Sequence, residues 1–178
     1  MNGMKVEGLT RTWYENGRKK KEETYKERKL EGLRTRWHEN GQKKGEATYK
    51  DGKIEGLATD WYENGQKREE GLFKDGKPEG LLTRWRKNGQ KLSETTYKDG
   101  KREGLATSWH ENGQKSFEVT YKDGKLVSET EWDEEGNEIK GVAALKKLGA
   151  QIEQDDQGRV VELNLMSPQI TDAGLEHL

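Results

Sequence analysis

The chain has 178 residues, of which 28% are hydrophobic and 38% charged, and a net charge of −1. That is too little apolar material for a compact globule around one deep core, and too little net charge for a chain held open by self-repulsion. Cysteine is absent, which excludes disulfides and thiolate chemistry, and no apolar run approaches the ~20 residues of a membrane-spanning helix.

Met1 to Glu7 contain no apolar stretch of the kind a secretory signal carries, so the cytosol is the expected compartment. A fixed period then takes over. Gly8, Gly32, Gly56, Gly80 and Gly104 are each followed by Leu, and each lies 24 residues from the next. Trp13, Trp37, Trp61, Trp85 and Trp109 keep the same step, as do the Asn-Gly pairs beginning at Asn16, Asn40, Asn64, Asn88 and Asn112. Tyr25, Tyr49, Phe73, Tyr97 and Tyr121 complete the unit. A period of this size marks a repeat architecture, in which each unit is stabilised by its neighbours and little core is needed.

Each repeat reads as two strands. In the second, Leu33, Thr35 and Trp37 alternate with Arg34, Arg36 and His38, the period of a strand with one apolar face. Glu39-Asn40-Gly41 is a hairpin turn, because Asn-Gly tolerates the positive φ such turns demand. A two-residue loop would set Trp37 on a face shared with Glu46 and Thr48. A three-residue loop, with Gly41 in a bulge, sets it with Gly45, Ala47 and Tyr49. The second gathers the apolar residues and is the predicted register. The same rule applied at Lys50-Asp51-Gly52 returns the chain to Leu57, Thr59 and Trp61 on that face, together with Glu31, Glu55, Glu79 and Glu103. Lys43 then lies across from Trp37, placed for a cation–π contact. The sum is a continuous antiparallel meander of about ten strands, an elongated twisted ribbon roughly 50 Å long at ~4.8 Å per strand.

The two ends depart from the pattern. Glu27-Arg28 replaces Asp-Gly in the first repeat, which puts Arg in a left-handed position at a cost of ~1 kcal/mol. Arg18, Lys19, Lys20 and Lys21 crowd its second strand, which reads as a charged cap on an exposed edge. A sixth, partial repeat keeps Trp132 and Gly136 but is one residue short, with Asp133-Glu134-Glu135 in its turn. Carboxylates there could hold a cation, yet the spacing fits no calcium loop and a solvated edge is the preferred reading.

Composition changes near Ile139, giving two parts: 1–137, the repeats, and 138–178. In the second part Gly141 to Leu148 has helical spacing, Val160 to Leu165 reads as a strand, and Thr171 to Leu175 as the start of a second helix. Leu163-x-Leu165 followed by Ile170-Thr-Asp-Ala-Gly-Leu175-x-x-Leu178 resembles a bacterial leucine-rich repeat. Charge is uneven along the chain. Residues 1–50 carry 14 Lys/Arg against 8 Asp/Glu, and residues 126–178 carry 4 against 12. Such a dipole can orient a partner or favour head-to-tail contacts.

The motif Gly-Leu-x-Thr-x-Trp-x-x-Asn-Gly-Gln-Lys with Tyr-Lys-Asp-Gly-Lys resembles the bacterial variant of the MORN repeat over residues 4 to 137. The resemblance implies serial β-hairpins in a single-layer sheet. It includes proteins labelled YwqK-type antitoxins, while eukaryotic MORN proteins look like scaffolds, some of them membrane-associated. The Tyr-x-Gly-x-Trp opening of those is absent here, so membrane-surface binding transfers poorly.

No constellation in the sequence supports catalysis. His38 and His110 occupy a position held by Tyr14, Tyr62 and Arg86 in other repeats and are too far apart to share a metal; no nucleophile motif or phosphate loop occurs, and no cofactor is implied. Nucleic acid is disfavoured, because Glu46 and Glu70 intrude among Arg34, Arg36, Lys44 and Lys50 on the polar face. The sequence therefore predicts a mainly β, non-enzymatic scaffold. It would bind a protein partner, or a second copy, through an aromatic face made of Trp37, Trp61, Trp85, Trp109, Tyr49, Phe73, Tyr97 and Tyr121. The alternatives are an antitoxin-like protein that neutralises a cognate toxin, and a spacer for a leucine-rich domain.

Overall fold

The computed structural model describes residues 7–139, together with the backbone of 151–154 and 160–164. One antiparallel sheet contains β1 (Gly8–Trp13), β2 (Lys19–Lys26), β3 (Lys29–Leu30), β4 (Gly32–Trp37), β5 (Lys43–Lys50) and β6 (Lys53–Trp61). It continues through β7 (Lys67–Lys74), β8 (Lys77–Trp85), β9 (Lys91–Lys98), β10 (Lys101–Trp109), β11 (Lys115–Lys122) and β12 (Lys125–Glu131). Strands pair in chain order, and the short β3 pairs with the end of β2. This is the expected meander, with eleven strands on its path.

The Asn-Gly turns form as the sequence predicts. Gly41 N–H donates to the His38 carbonyl at 2.9 Å and His38 N–H to the Gln42 carbonyl at 2.9 Å, which closes a three-residue loop. The register beyond the turn differs. Trp37 pairs with Lys43, but Arg36 pairs with Gly45, so Lys44 is an extra residue in a β-bulge. Side chains alternate with period two, and one extra residue exchanges the faces of everything after it. Leu33 and Thr35 therefore share a face with Thr48 and Glu46, while Arg34 and Arg36 share the other with Ala47 and Gly45. The predicted grouping of Trp37 with Gly45, Ala47 and Tyr49 is overturned. Gathering apolar residues decides register only where a second layer buries them. Here, among the described residues, Leu82 (6% exposed) and Val119 (4%) are the only buried apolar side chains.

The Asp-Gly turns are two residues long, not three. Lys50 pairs with Lys53, and Asp51 (φ 51°) and Gly52 (φ 82°) both take left-handed backbone. This is the type I′ geometry, whose twist matches that of the flanking strands. The first repeat makes the same turn with Glu27 (φ 50°) and Arg28 (φ 66°), so the strain expected at Arg28 is present. A second bulge follows each such turn. Tyr49 pairs with Ile54 but Ala47 with Ala58, and Gly56 (φ 90°) sits in the surplus. In the sixth repeat Tyr121 pairs with Leu126 and Thr120 with Ser128, a shift of one residue rather than two. The residue missing from the sequence there is the bulge glycine.

The edge of the sheet is β1, whereas β2 is paired on both sides. Lys19, Lys20 and Lys21 lie on β2 and Arg18 in the turn leading to it, so they do not cover an edge strand as expected. Beyond the repeats, β13 (Gln151–Gln154) and β14 (Val160–Asn164) form an antiparallel pair with Ile152 opposite Leu163. The strand expected at 160–165 is β14. The expected helices at 141–148 and from 171, and with them the leucine-rich arrangement, lie outside the described residues.

Candidate interaction surfaces

Both edges of the ribbon are stitched from one repeat to the next. On the Asn-Gly edge, Asn40 Nδ2 donates to the Glu63 carbonyl and Asn64 Nδ2 to the Lys87 carbonyl, each at 2.6 Å. Beside them, Tyr14 Oη donates to the Trp37 carbonyl (2.7 Å), Tyr62 Oη to that of Trp85 (2.8 Å) and Arg86 Nη2 to that of Trp109 (2.8 Å). His38 Nε2 and His110 Nε2 meet the Trp61 and Trp132 carbonyls at 2.9 and 2.8 Å. A carbonyl only accepts, so each imidazole carries its proton on Nε2. One position thus accepts Tyr, His or Arg because it requires only a donor of the right reach. The two histidines are structural, and sequence reasoning missed this role although it recorded the equivalence. Tyr62→Phe removes the donor from a part-buried carbonyl and is expected to cost about 1 kcal/mol in urea unfolding.

The Asp-Gly edge is stitched by the glutamates predicted for the Trp face. The Asp51 N–H donates to Glu31 Oε2 at 3.0 Å, Asp75 to Glu55 at 2.9 Å, Asp99 to Glu79 at 2.8 Å and Asp123 to Glu103 at 2.7 Å. Each carboxylate reaches the turn of the next repeat. Glu31, Glu55, Glu79 and Glu103 are consumed there and are not offered to a partner.

One face, the threonine face, carries a row in which Thr and Glu alternate strand by strand from Glu22 to Thr130, each directly paired with the next. Thr35, Thr59, Thr83 and Thr107 are buried in it. Thr59 Oγ1 donates to Glu70 Oε2 at 2.9 Å, and Lys67 Nζ holds the same carboxylate at 2.7 Å. The hydrogen bond from Lys67 keeps Glu70 below the usual carboxylate range against the opposing effect of burial, with help from Thr59. Lys67 Nζ also stands 5.7 Å from the ring centre of Trp85. The unit recurs with Lys19 over Trp37, Lys43 over Trp61, Lys91 over Trp109 and Lys115 over Trp132, at 5.2 to 5.8 Å. The cation–π partner of Lys43 is therefore Trp61 of the following repeat, not Trp37. Bulging places the lysine at the repeat boundary, where it links two units.

The other face carries Tyr49 against Ile54, Phe73 against Pro78, Tyr97 against Arg102 and Tyr121 against Leu126. Arg34 stacks on Tyr49 at 5.9 Å and Arg102 on Tyr121 at 5.1 Å. The predicted aromatic face is thus two rows on opposite sides. Trp37, Trp61, Trp85 and Trp109 lie on the threonine face, and Tyr49, Phe73, Tyr97 and Tyr121 lie on the tyrosine face. Arg34 and Arg36 are on the tyrosine face, while Glu46 and Glu70 are on the threonine face, so these glutamates do not intrude among the arginines.

The most exposed apolar row is a third one. Leu9, Leu33, Leu57, Leu81 and Leu105 recur once per repeat on the threonine face, with Leu72 directly opposite Leu57, and each is 49–54% exposed. Each leucine follows the bulge glycine and sits one pair beyond the Thr–Glu row.

One charged group on the tyrosine face is buried. Glu23, 2% exposed, is held by Lys21 Nζ, by the Tyr25 hydroxyl at 2.9 Å and by Arg34 Nε at 3.1 Å, the last off the line of a hydrogen bond. Burial pushes its pKa up, but the hydrogen bonds of Lys21 and Tyr25 and the nearby cations outweigh this, and the net displacement is downward. No group of three or more His, Asp or Glu among the described residues could hold a metal ion. The acidic turn closes like the others, with Gly136 N–H donating to the Asp133 carbonyl at 3.1 Å. Hydrogen bonds from Asn137 keep Asp133 below its ordinary range.

A single-layer ribbon of stacked hairpins, coupled only between neighbours and stitched at both edges, is a β-hairpin repeat array. The chain belongs to the family described as MORN repeat variant, whose family model matches residues 6–27, 30–51, 54–75, 78–99 and 102–123. The family is a structural repeat, generally an interaction scaffold. No curated protein matches the chain.

Proposed function

We infer that the ribbon is a non-enzymatic scaffold that binds a protein through the leucine row of its threonine face. The observation that carries this reading is the row itself: six leucines, each about half exposed, on a sheet with no second layer among the described residues. Together they offer on the order of 500 Å² of apolar surface, the size of the largest apolar patch on a typical monomer, which is often functional. The tryptophans on the same face are engaged by lysines, and the tyrosines opposite are half-buried, so neither row is as available as the sequence implied. A partner would lay an apolar strand or helix along the row, parallel to the repeat axis.

The test is a full chain carrying Leu57→Glu and Leu81→Glu, compared with wild type for the proteins retained from native lysate. A control with Lys98→Glu leaves the row intact. The expected result is a protein retained by wild type and control and lost at least about tenfold by the double variant, for a change of ~1.4 kcal/mol or more. Equal retention by all three, with unfolding curves that show a folded double variant, would reject the leucine row. Neutralising a toxin would be one form of such binding, and restored growth on co-expression with the retained protein would identify it.

A further inference from the structure

The two ends of the ribbon carry opposite charge on the same face and along the same edge. On the tyrosine face, beside the Asn-Gly turns, one row of directly paired residues runs through every strand. It begins with Thr12, Lys21 and Arg36 and ends with Phe117 and Glu131. At the first end it forms a cleft of about 360 Å³, to which Trp13, Tyr14, Lys20, Trp37 and Lys44 also contribute. Four cations line this cleft and no carboxylate does. The turn acids nearest in sequence, Glu15 and Glu39, are exposed and form no part of its wall.

The bulge that follows each tryptophan builds this end. Its surplus residue is Lys20 in the first repeat and Lys44 in the second, then Arg68, Leu92 and Ser116. Arg68 is bonded to Asp60 at 2.7 Å, a carboxylate it shares with Arg36. Among the described residues, neither Lys20 nor Lys44 has a carboxylate within ion-pair distance, and Lys20 rests over the Tyr14 ring at 5.3 Å. Lys21 and Arg36 are each paired, with Glu23 and with Asp60. Of the four cations in the cleft, the two bulge lysines are therefore the ones without a carboxylate partner among the described residues.

At the far end the same row and the same turn position present Glu131, Asp133, Glu134 and Glu135. All but Glu131 are fixed by the turn that Gly136 closes. The hydrogen bonds of Asn137 to Asp133, at 2.7 and 3.0 Å, hold that carboxylate in its charged form. Ten strand spacings separate the two ends, roughly 50 Å at ~4.8 Å each. A ribbon stitched along both edges does not fold back over that distance, so the acidic turn cannot reach the basic cleft of its own chain.

We propose that the basic cleft of one chain takes the acidic end of a second copy, so that the protein associates head to tail. The contact uses the tyrosine face and the turn edge, and leaves the leucine row of the threonine face open. It is independent of the function proposed above.

The experiment is sedimentation equilibrium of the full chain at about 50 mM and about 500 mM salt, conditions between which exposed charges are screened out. Wild type is expected to associate at low salt and to dissociate at high salt. Lys20→Glu with Lys44→Glu makes both ends acidic, and Glu131→Lys with Glu134→Lys and Glu135→Lys makes both ends basic. Each of these variants alone is expected to associate at least about tenfold more weakly than wild type, since like charges now face each other. Mixing the two restores association, and so does one chain that carries all five substitutions, because its ends are again opposite. That restoration also shows that the variants fold. A wild type that stays monomeric at low salt, or association that the reversals leave unchanged, overturns the proposal.

Discussion

Replacing Leu82 by Ala lowers the unfolding free energy by about 2–3 kcal/mol, the largest loss expected from any single apolar truncation in the repeats. Leu82 is one of two buried apolar side chains among the described residues. It is paired with Gly71, and a Cβ added at Gly71 would stand 3.2–3.3 Å from the leucine side chain. Gly71 thus leaves the space that Leu82 fills, between β7 and β8 at the middle of the array. In an array whose units are coupled only to neighbours, weakening a central interface uncouples the two halves. Urea unfolding of the full chain, followed by tryptophan fluorescence, measures the loss as a lower midpoint. Gly71→Ala on its own crowds Leu82, whereas in the Leu82→Ala background the added methyl occupies vacated space. The double variant is therefore expected to lose less than the sum of the singles, a coupling of about 0.5–1 kcal/mol. Additive losses, or a Leu82→Ala effect no larger than that of an exposed Leu105→Ala, would show that the pair is not packed as described.

The sequence made the repeats and the Asn-Gly turns readable because both are local. Gly41 follows Asn40 at a position that needs left-handed backbone, and the turn formed as predicted. Arg28 in the strained turn of the first repeat and the residue missing before Trp132 were readable for the same reason. The faces were not. Gathering Leu33, Trp37, Ala47 and Tyr49 on one side is a rule of register that holds where a core pays for burial. This ribbon has almost no core, and what the repeat optimises instead is contact with the next repeat. Lys43 reaches both Glu46 and Trp61, and Glu31 reaches the Asp51 turn. Both contacts depend on bulges, at Lys44 and at Gly32, that carry no apolar signal. The position shared by Tyr14, His38, Tyr62, Arg86 and His110 stands out in the sequence without its reason, since the carbonyl it serves is defined only once strands are paired. The leucine row followed the same course. Its spacing was plain, but its separation from the tryptophans in exposure arises from lysines that cover the indoles and leave the leucines bare.

Glu23→Gln is expected to destabilise the chain by about 2 kcal/mol at neutral pH. This is less than the 3–5 kcal/mol for breaking a fully buried pair, because Lys21 and Arg34 keep part of their contact with water. The substitution keeps an oxygen that can accept from Tyr25 and removes the charge between the two cations, whose side chains are 31% and 28% exposed. The same carboxylate governs the acid limb of stability. Its folded pKa lies below the ordinary value, as do those of Glu70 and Asp133, so the folded state binds these protons more weakly than the unfolded chain does. Their contribution is complete above the ordinary carboxylate range, near pH 4.5, and is lost as pH falls through the lower folded values. Wild type should therefore lose stability steeply below that point, whereas Glu23→Gln starts lower and falls less. The gap between the two proteins narrows with acid, because protonated Glu23 and neutral Gln offer the cations the same absence of charge. Urea midpoints at steps between about pH 7 and pH 3 test this directly. A gap that stays constant across the series would mean that Glu23 acts through shape and hydrogen bonding alone. A wild type indifferent to acid would remove charge pairing from what holds the first two repeats together.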